Sequence, residues 1–304
     1  MKIIITGATG LIGRTLCEKL ISRGDGITVF SRNVEEAKKN LPQVNNFVEW
    51  DYKNPDKWDN EIKGKDAVIH LAGANLFGKR WNDDYKSKIL ESRQISTRNI
   101  VNAIINAKIK PSIFICSSAV GIYGERENEL LTEDSSTGND FLAQVCKTWE
   151  DEAAKVEPAG IRRVSIRTGI VLSTKDGALK QMLLPFKLFV GGPLGKGNQW
   201  FPWIHIDDLI DSYIFSLDNP NVNGAVNGVS PNPVTMNEFA KALGKALHRP
   251  SFFKVPVFAL KIAVGEFAES ILASIRAVPE KLIRNNFKFK FEGLNVALKD
   301  LLKL

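Results

Sequence analysis

Cysteine and histidine are scarce, three of each in 304 residues, and tyrosine occurs only four times. Cys17, Cys116 and Cys146 are too few and too scattered for a disulfide framework or a zinc site. This usage fits a reducing, cytoplasmic setting. His70, His205 and His248 lack metal-ligand spacing, so no metal is expected. No apolar run reaches membrane-spanning length before a Lys, Gly or Pro interrupts it. Met1-Lys2 leads into a strand without a signal-peptide pattern, and no membrane partner is expected. The formal charge is +7, but basic residues are interleaved with acids, as in DDYKSK and KTWEDEAAK. No basic stripe with stacking aromatics argues for nucleic acid. A basic balance does suit phosphorylated small molecules. Linkers, repeats and low-complexity tracts are also absent.

Against these absences stands KIIITGATGLIG, residues 2–13. A β-branched run, Ile3 to Ile5, ends in glycines at positions 7, 10 and 13. Leu11, Leu16, Leu20 and Ile21 then recur at helical spacing. Three glycines at a strand-to-helix turn are a dinucleotide-binding signature when both elements flank them. Gly7 permits the tight turn, Gly10 admits a pyrophosphate, and Gly13 lets helix and strand pack closely. The helix start offers free N–H groups to the anion.

Further strands are read at Ile27 to Phe30, Phe47 to Asp51, Asp66 to Gly73 and Ser112 to Ser118. Another runs through RRVSIRTGIVL, and one lies near Ala225 to Asn227. Helices are read from Asp83 to Ala107, Asp140 to Val156 and Asp207 to Leu217. Thr235 with Glu238 forms a capping box for one more. Strands alternating with helices give an α/β class, a Rossmann-type doubly wound parallel sheet. The division expected is 1–174 as the cofactor core. Residues 175–304 return to that core and build a small C-terminal substrate lobe, with two or three short helices and a strand at Phe287 to Phe291.

GATGLIG, the HLAG turn, SSAVGIYG and WIHIDDL occur in an order that resembles an extended short-chain dehydrogenase/reductase of the NAD(P)-dependent epimerase/dehydratase type. GKRWNDDYKSKILESR, DFLAQVCKTWE and the tail from AVPEKLIRNNFKFKF resemble its YfcH-like subgroup. The resemblance covers nearly the whole chain. It implies that Gly7, Thr9, Gly10, Leu11, Ile12 and Gly13 hold the cofactor phosphates, and that Leu71, Ala72 and Gly73 pass beneath them. NAD binders place an acid after the second strand. Here Ser31 and Arg32 stand instead, which suits the 2′-phosphate of NADP through charge-assisted bonds. A plain surface arginine is the alternative. Asp51 meets the adenine amine or forms a turn.

The family's Ser/Thr, Tyr and Lys supply its acid/base chemistry, with Tyr and Lys four apart. No YxxxK exists in this chain. The resemblance sets Lys147 at the lysine, which leaves Ala143 at the tyrosine. Ser118, with Ser117 as neighbour, holds the hydroxyl position. Tyr123 is the phenol available as a substitute acid, or a packing aromatic. Lys147 holds the nicotinamide ribose or lies on the surface. Arg80, Trp81, Arg93, Trp200 and His205 are candidate substrate contacts, each with a structural alternative. Two functions follow. One is an NADP-dependent oxidoreductase or epimerase-like enzyme, monomer or homodimer, on a small carbonyl or sugar-like substrate. The other is a non-catalytic NADP-binding sensor or regulator, a reading that some subgroup relatives' cell-division label touches.

Overall fold

The computed structural model describes residues 1–304. Seven strands form one parallel sheet: β1 (Lys2–Thr6), β2 (Gly26–Ser31), β3 (Asn46–Glu49), β4 (Ala67–His70), β5 (Ile113–Ala119), β6 (Arg162–Thr168) and β7 (Gly224–Gly228). Their order across the sheet is β3-β2-β1-β4-β5-β6-β7, every neighbouring pair parallel. The helices α1 (Leu11–Ser22), α2 (Val34–Asn40), α3 (Asp83–Asn106), α4 (Phe141–Ala154), α5 (Ala178–Lys187) and α6 (Ile206–Asp218) run between or after these strands. The tail carries α7 (Met236–Leu247), α8 (Val257–Val264), α9 (Phe267–Leu272), α10 (Glu280–Arg284) and α11 (Leu294–Leu302).

The two-residue period of a strand divides the core. Ile3, Ile5, Val29, Ile69, Ile115 and Ile166 pack with Leu16 and Leu20 of α1 and Leu209 and Ile210 of α6. Ile4, Phe30, Val68 and Phe114 point the other way, onto Ile100 and Ile104 of α3 and Trp149 of α4. Both faces are covered, so the strands read as continuous apolar runs. The doubly wound sheet expected from the alternation of elements is present.

Three expectations need correction. RRVSIRTGIVL is two strands, because Gly169 breaks it: a Cβ there would lie 2.3 Å from the Pro202 carbonyl oxygen. Residues 170–172 leave the main sheet and pair with residues 203–205. Phe287 to Phe291 joins no sheet. The amides of Lys290 and Phe291 donate to the Asp208 carboxylate at 2.8 and 2.9 Å, while Phe287 packs on Phe215 and Phe289. The tail from Phe252 onward holds four short helices rather than two or three. The Thr235–Glu238 capping box is formed at α7.

Candidate functional site

The site begins where β1 ends. Gly7 has φ +67°, and a Cβ on it would lie 2.8 Å from the Leu71 carbonyl carbon. On Gly13 a Cβ would lie 2.5 Å from both Ala8 Cα and the Gly7 oxygen. These two positions join the turn to β4 and to its own helix. Gly10 differs: its nearest neighbour is the Gly7 oxygen at 3.4 Å, so it faces open space. It caps α1 without a side chain, and the amides of Leu11, Ile12 and Gly13 find no acceptor. Unpaired amides at the start of a twelve-residue helix favour an anion.

These groups open on a cleft of about 760 Å³. Gly7, Thr9 and Gly10 line it, with Ser31, Arg32, Asn33 and Glu36 at the end of β2, Trp50 and Tyr52 after β3, and Leu71 to Asn75 after β4. Lys79, Tyr85, Lys88 and Ser92 close one side. Arg32, Lys79 and Lys88 have no carboxylate partner within 4 Å. The cleft therefore joins a ring of donors to three cations outside any ion pair, with Glu36 as its one lining acid.

Sequence reasoning missed α2 and the residues around it. Asn33 caps that helix, accepting from the Glu36 amide at 3.0 Å. The spacing Asn33-x-x-Glu36 was the available signal. Trp50 and Tyr52, not Asp51, turn into the cleft. Asp51 is exposed and accepts from the Lys53 amide and the Asn54 side chain. These bonds hold its carboxyl below the usual range. It forms the turn, and it is not among the residues that line the cleft.

The loop after β4 is fixed from below. Thr6 Oγ1 lies 2.7 Å from His70 Nδ1 and accepts from the Ala72 amide at 3.3 Å. Ser96 Oγ, 3.1 Å from His70 Nε2, donates to the Ser92 oxygen at 2.6 Å. These roles assign the proton to Nε2, and burial drives the pKa of His70 down to about 3. Arg93 lies beneath Gly73, where a Cβ would stand 2.9 Å from its guanidinium carbon. It donates to the carbonyls of Ile89 and Ala74 at 3.0 and 3.2 Å and stacks 4.9 Å from the Trp149 ring. Arg93 supports the loop; its hydrogen bonds go to backbone, not into the cleft.

The expected catalytic trio does not converge. Ser118 is buried and donates to Glu150 Oε1 at 2.6 Å. Arg167 grips the same carboxylate with Nε and Nη2, both at 2.9 Å. Tyr123 is fully buried, and its hydroxyl lies 2.7 Å from Asn227 Oδ1 and accepts from Arg167 Nη1 at 3.0 Å. Burial pushes its pKa up to about 12. Ser117, the neighbouring alternative, bonds the Tyr213 hydroxyl at 2.8 Å. Lys147 points to solvent and pairs with Asp151 at 2.7 Å. The register of α4 explains this: Ala143, Val145, Cys146, Trp149 and Ala153 form its buried stripe, and position 147 falls outside it. All three cysteines are buried and unpaired.

The remaining candidates sit apart. Arg80 donates to the Lys261 oxygen at 3.3 Å and packs against Gly265. Trp81 is buried against Phe141 and Phe267, its indole N–H bonded to the Leu76 oxygen. Trp200 donates to Asn128 under the Arg276 guanidinium. His205 caps α6 through Nδ1, stacks on Phe291 and lies 3.3 Å from Asp300. Each is engaged in packing within the fold, as Phe201 and Trp203 are.

A parallel sheet ordered 3-2-1-4-5-6-7, with a glycine turn and an anion-ready helix start at the centre, defines a dinucleotide-binding protein of the extended short-chain dehydrogenase type. The family model described as NAD dependent epimerase/dehydratase family matches residues 3–228, and the chain belongs to that family. A second model, a domain of unknown function (DUF1731), matches residues 255–301. The chain is 38% identical over 305 residues to the chloroplastic epimerase family protein SDR39U1 homolog of Arabidopsis thaliana, covering 100% of this chain and 87% of that one. It is 38% identical to epimerase family protein YfhF of Bacillus subtilis, covering 99% and 98%. The crystal structure of human epimerase family protein SDR39U1 (isoform 2) with NADPH superposes with a TM-score of 0.87 at 30% identity, covering 100% and 99%. The Bacillus cereus UDP-glucuronic acid 4-epimerase, at 19% identity and a TM-score of 0.77, shares the fold.

Proposed function

We propose that the cleft binds NADP and that the chain is an oxidoreductase of epimerase type acting on a small carbonyl or sugar-like substrate. The observation that carries this reading is the meeting of free α1 amides with three unpaired cations in one cleft. Gly10 fits it, since a side chain there would project toward the space a diphosphate needs. The α1 amides hold the pyrophosphate. Ser31 and Arg32 hold the 2′-phosphate, and no acid directly follows β2 to favour NAD; the carboxylate lining the cleft, Glu36, stands on α2. The NADPH in the human relative supports the same preference. Residues 1–174 act as the cofactor core and 175–304 supply the substrate lobe, in a monomer or homodimer. Three buried, reduced cysteines favour a cytoplasmic setting.

When bound, the cofactor supplies or accepts a hydride. The chain's own part is to fix the ring over the sheet and exclude water. Thr6, His70, Ser92 and Arg93 hold the loop that carries Leu71 to Ala74 in one position. The proton does not come from Ser118 or Tyr123, whose polar atoms are spent on Glu150, Asn227 and Arg167. That commitment favours a second reading, an NADP-binding sensor without turnover. Loss of NADPH absorbance with a panel of ketones, aldehydes and nucleotide sugars separates the two. Turnover of any of them supports the enzyme. Tight NADPH binding with no turnover across the panel supports the sensor, and absence of NADPH binding overturns both.

A further inference from the structure

Six bulky apolar side chains stand exposed on one side of the C-terminal part of the chain: Leu184 at 62%, Leu188 at 62%, Phe189 at 54%, Phe252 at 72%, Phe258 at 67% and Ile262 at 70%. They form one surface. The turn after α5 meets the 252–253 segment, where the Phe253 amide donates to the Gly191 oxygen, and Arg249 stacks 4.4 Å from the Phe189 ring. A bridge joins Leu194 to Val255 just before α8. The helix α8 itself, VFALKIAV, buries none of its residues. Ala259, Leu260 and Val264 are partly covered, while Val257, Phe258 and Ile262 leave an apolar face open, unusual for a surface exposed only to water.

The charge around this surface is one-sided. No Asp or Glu occurs from Gly177 to Ile206, a segment with three lysines. None occurs from Phe239 to Gly265, which holds four lysines and one arginine. Lys187 and Lys254 are exposed beside the apolar residues and have no acidic partner. Lys261 pairs with Glu269, the acid that comes nearest from the following helix. A longer acid-free stretch, Ser92 to Gly124, runs through α3 and β5 of the core; here the unpaired lysines stand beside exposed apolar side chains instead.

We propose that this surface docks on an anionic lipid bilayer from one side. Charge complementarity selects an anionic partner. The shape selects lipid over an acidic protein: the apolar side chains all protrude by more than half, which presents knobs to a fluid phase rather than holes for anchoring residues. Lysines at the rim reach headgroups while their stems stay on apolar surface. No helix is long and apolar enough to cross a membrane, and one-sided contact needs none. The expectation of no membrane partner rested on the missing span and the missing signal-peptide pattern, and neither bears on one-sided contact. The proposal does not depend on whether the cleft turns over substrate.

Flotation of the full chain with vesicles tests it. Vesicles containing phosphatidylglycerol should bind the protein and vesicles of phosphatidylcholine alone should not, with binding weakened by salt. Phe258→Asp together with Ile262→Asp should lower partitioning by roughly tenfold or more, and Lys187→Glu with Lys254→Glu by about tenfold or more. Both pairs should keep the wild-type circular dichroism and NADPH affinity, which separates lost docking from lost folding. Equal binding to both vesicle types, or binding unchanged in either pair, overturns the proposal. So does a stable dimer in sedimentation that Phe258→Asp converts to monomer, or preference for an acidic polypeptide over the anionic vesicles.

Discussion

Ser118 donates its hydroxyl to Glu150 at 2.6 Å, and that carboxylate is held from its other side by Arg167. The pair ties the end of β5 to α4. Through Arg167 and Tyr123 it reaches Asn227 on β7, whose amide donates to Glu133 at 2.9 Å. Glu133 in turn accepts from the Lys281 amide of α10. Ser118, which the resemblance set at the family's hydroxyl position, and Tyr123, read as a substitute acid or a packing aromatic, belong here to a polar joint between sheet and tail.

Tyr123→Phe is expected to act on stability. It removes the partner of Arg167 and Asn227 in a buried site and should cost about 1–3 kcal/mol in urea unfolding. NADPH affinity should stay within twofold of wild type. A variant with unchanged stability and abolished turnover would return Tyr123 to the chemistry. Lys147→Ala, at an exposed ion pair, should change neither quantity measurably.

Arg32 lines the cleft beside Ser31 and is the residue proposed to select NADP. Arg32→Ala should weaken NADPH by roughly tenfold to a hundredfold, the loss of a charge-assisted phosphate contact. NADH, lacking that phosphate, should be nearly unaffected. Calorimetric titration of both cofactors reads the difference directly, and equal losses would place Arg32 outside the phosphate site.

Gly13 and Gly10 should separate by readout. Gly13→Ala drives a Cβ into Ala8 and the Gly7 oxygen, so thermal unfolding should show a loss of about 1–3 kcal/mol or more. Gly10→Val meets only open space and should fold normally while losing NADPH binding. A folded Gly10→Val protein that still binds NADPH would remove the pyrophosphate from this turn.

His70 sets an acid limb on stability. Its folded pKa is lowered by burial to about 3 from 6.5. Between those values the unfolded chain takes up a proton that the folded chain refuses. Its contribution to stability is therefore complete above pH 6.5 and falls as pH drops toward 3, by up to about 1.4 kcal/mol per unit. His205 is shifted in the same direction by burial. Urea midpoints across this range should show a shallower decline in His70→Gln than in wild type; parallel curves would mean another group carries the limb.

The sheet and the glycine turn were legible because they rest on local patterns: apolar runs, helical spacing, and glycines such as Gly7 and Gly13 where a Cβ has no room. Ser31 and Arg32 could be placed from β2 alone. The polar network was not legible, since Ser118, Glu150, Arg167 and Asn227 come from four elements far apart in sequence. Lys147 lies outside the buried stripe of α4, and the short motif around it carried no signal of which face of the helix would be covered. FKFKF carried a strand period, but its amides were taken by Asp208 instead of a neighbouring strand. The α2 helix was too short for periodicity, and only its Asn33 cap marked it.

Ala143, where the resemblance puts a tyrosine, has no exposed surface. A phenol at that site would have to displace packed neighbours, so Ala143→Tyr is expected to lower the melting temperature without creating carbonyl reduction. The consequence is a coupled lock. α4 closes over position 143, Ser118 braces Glu150 and Tyr123 braces Arg167, while Lys147 faces solvent. One substitution therefore does not install a tyrosine–lysine pair on this helix.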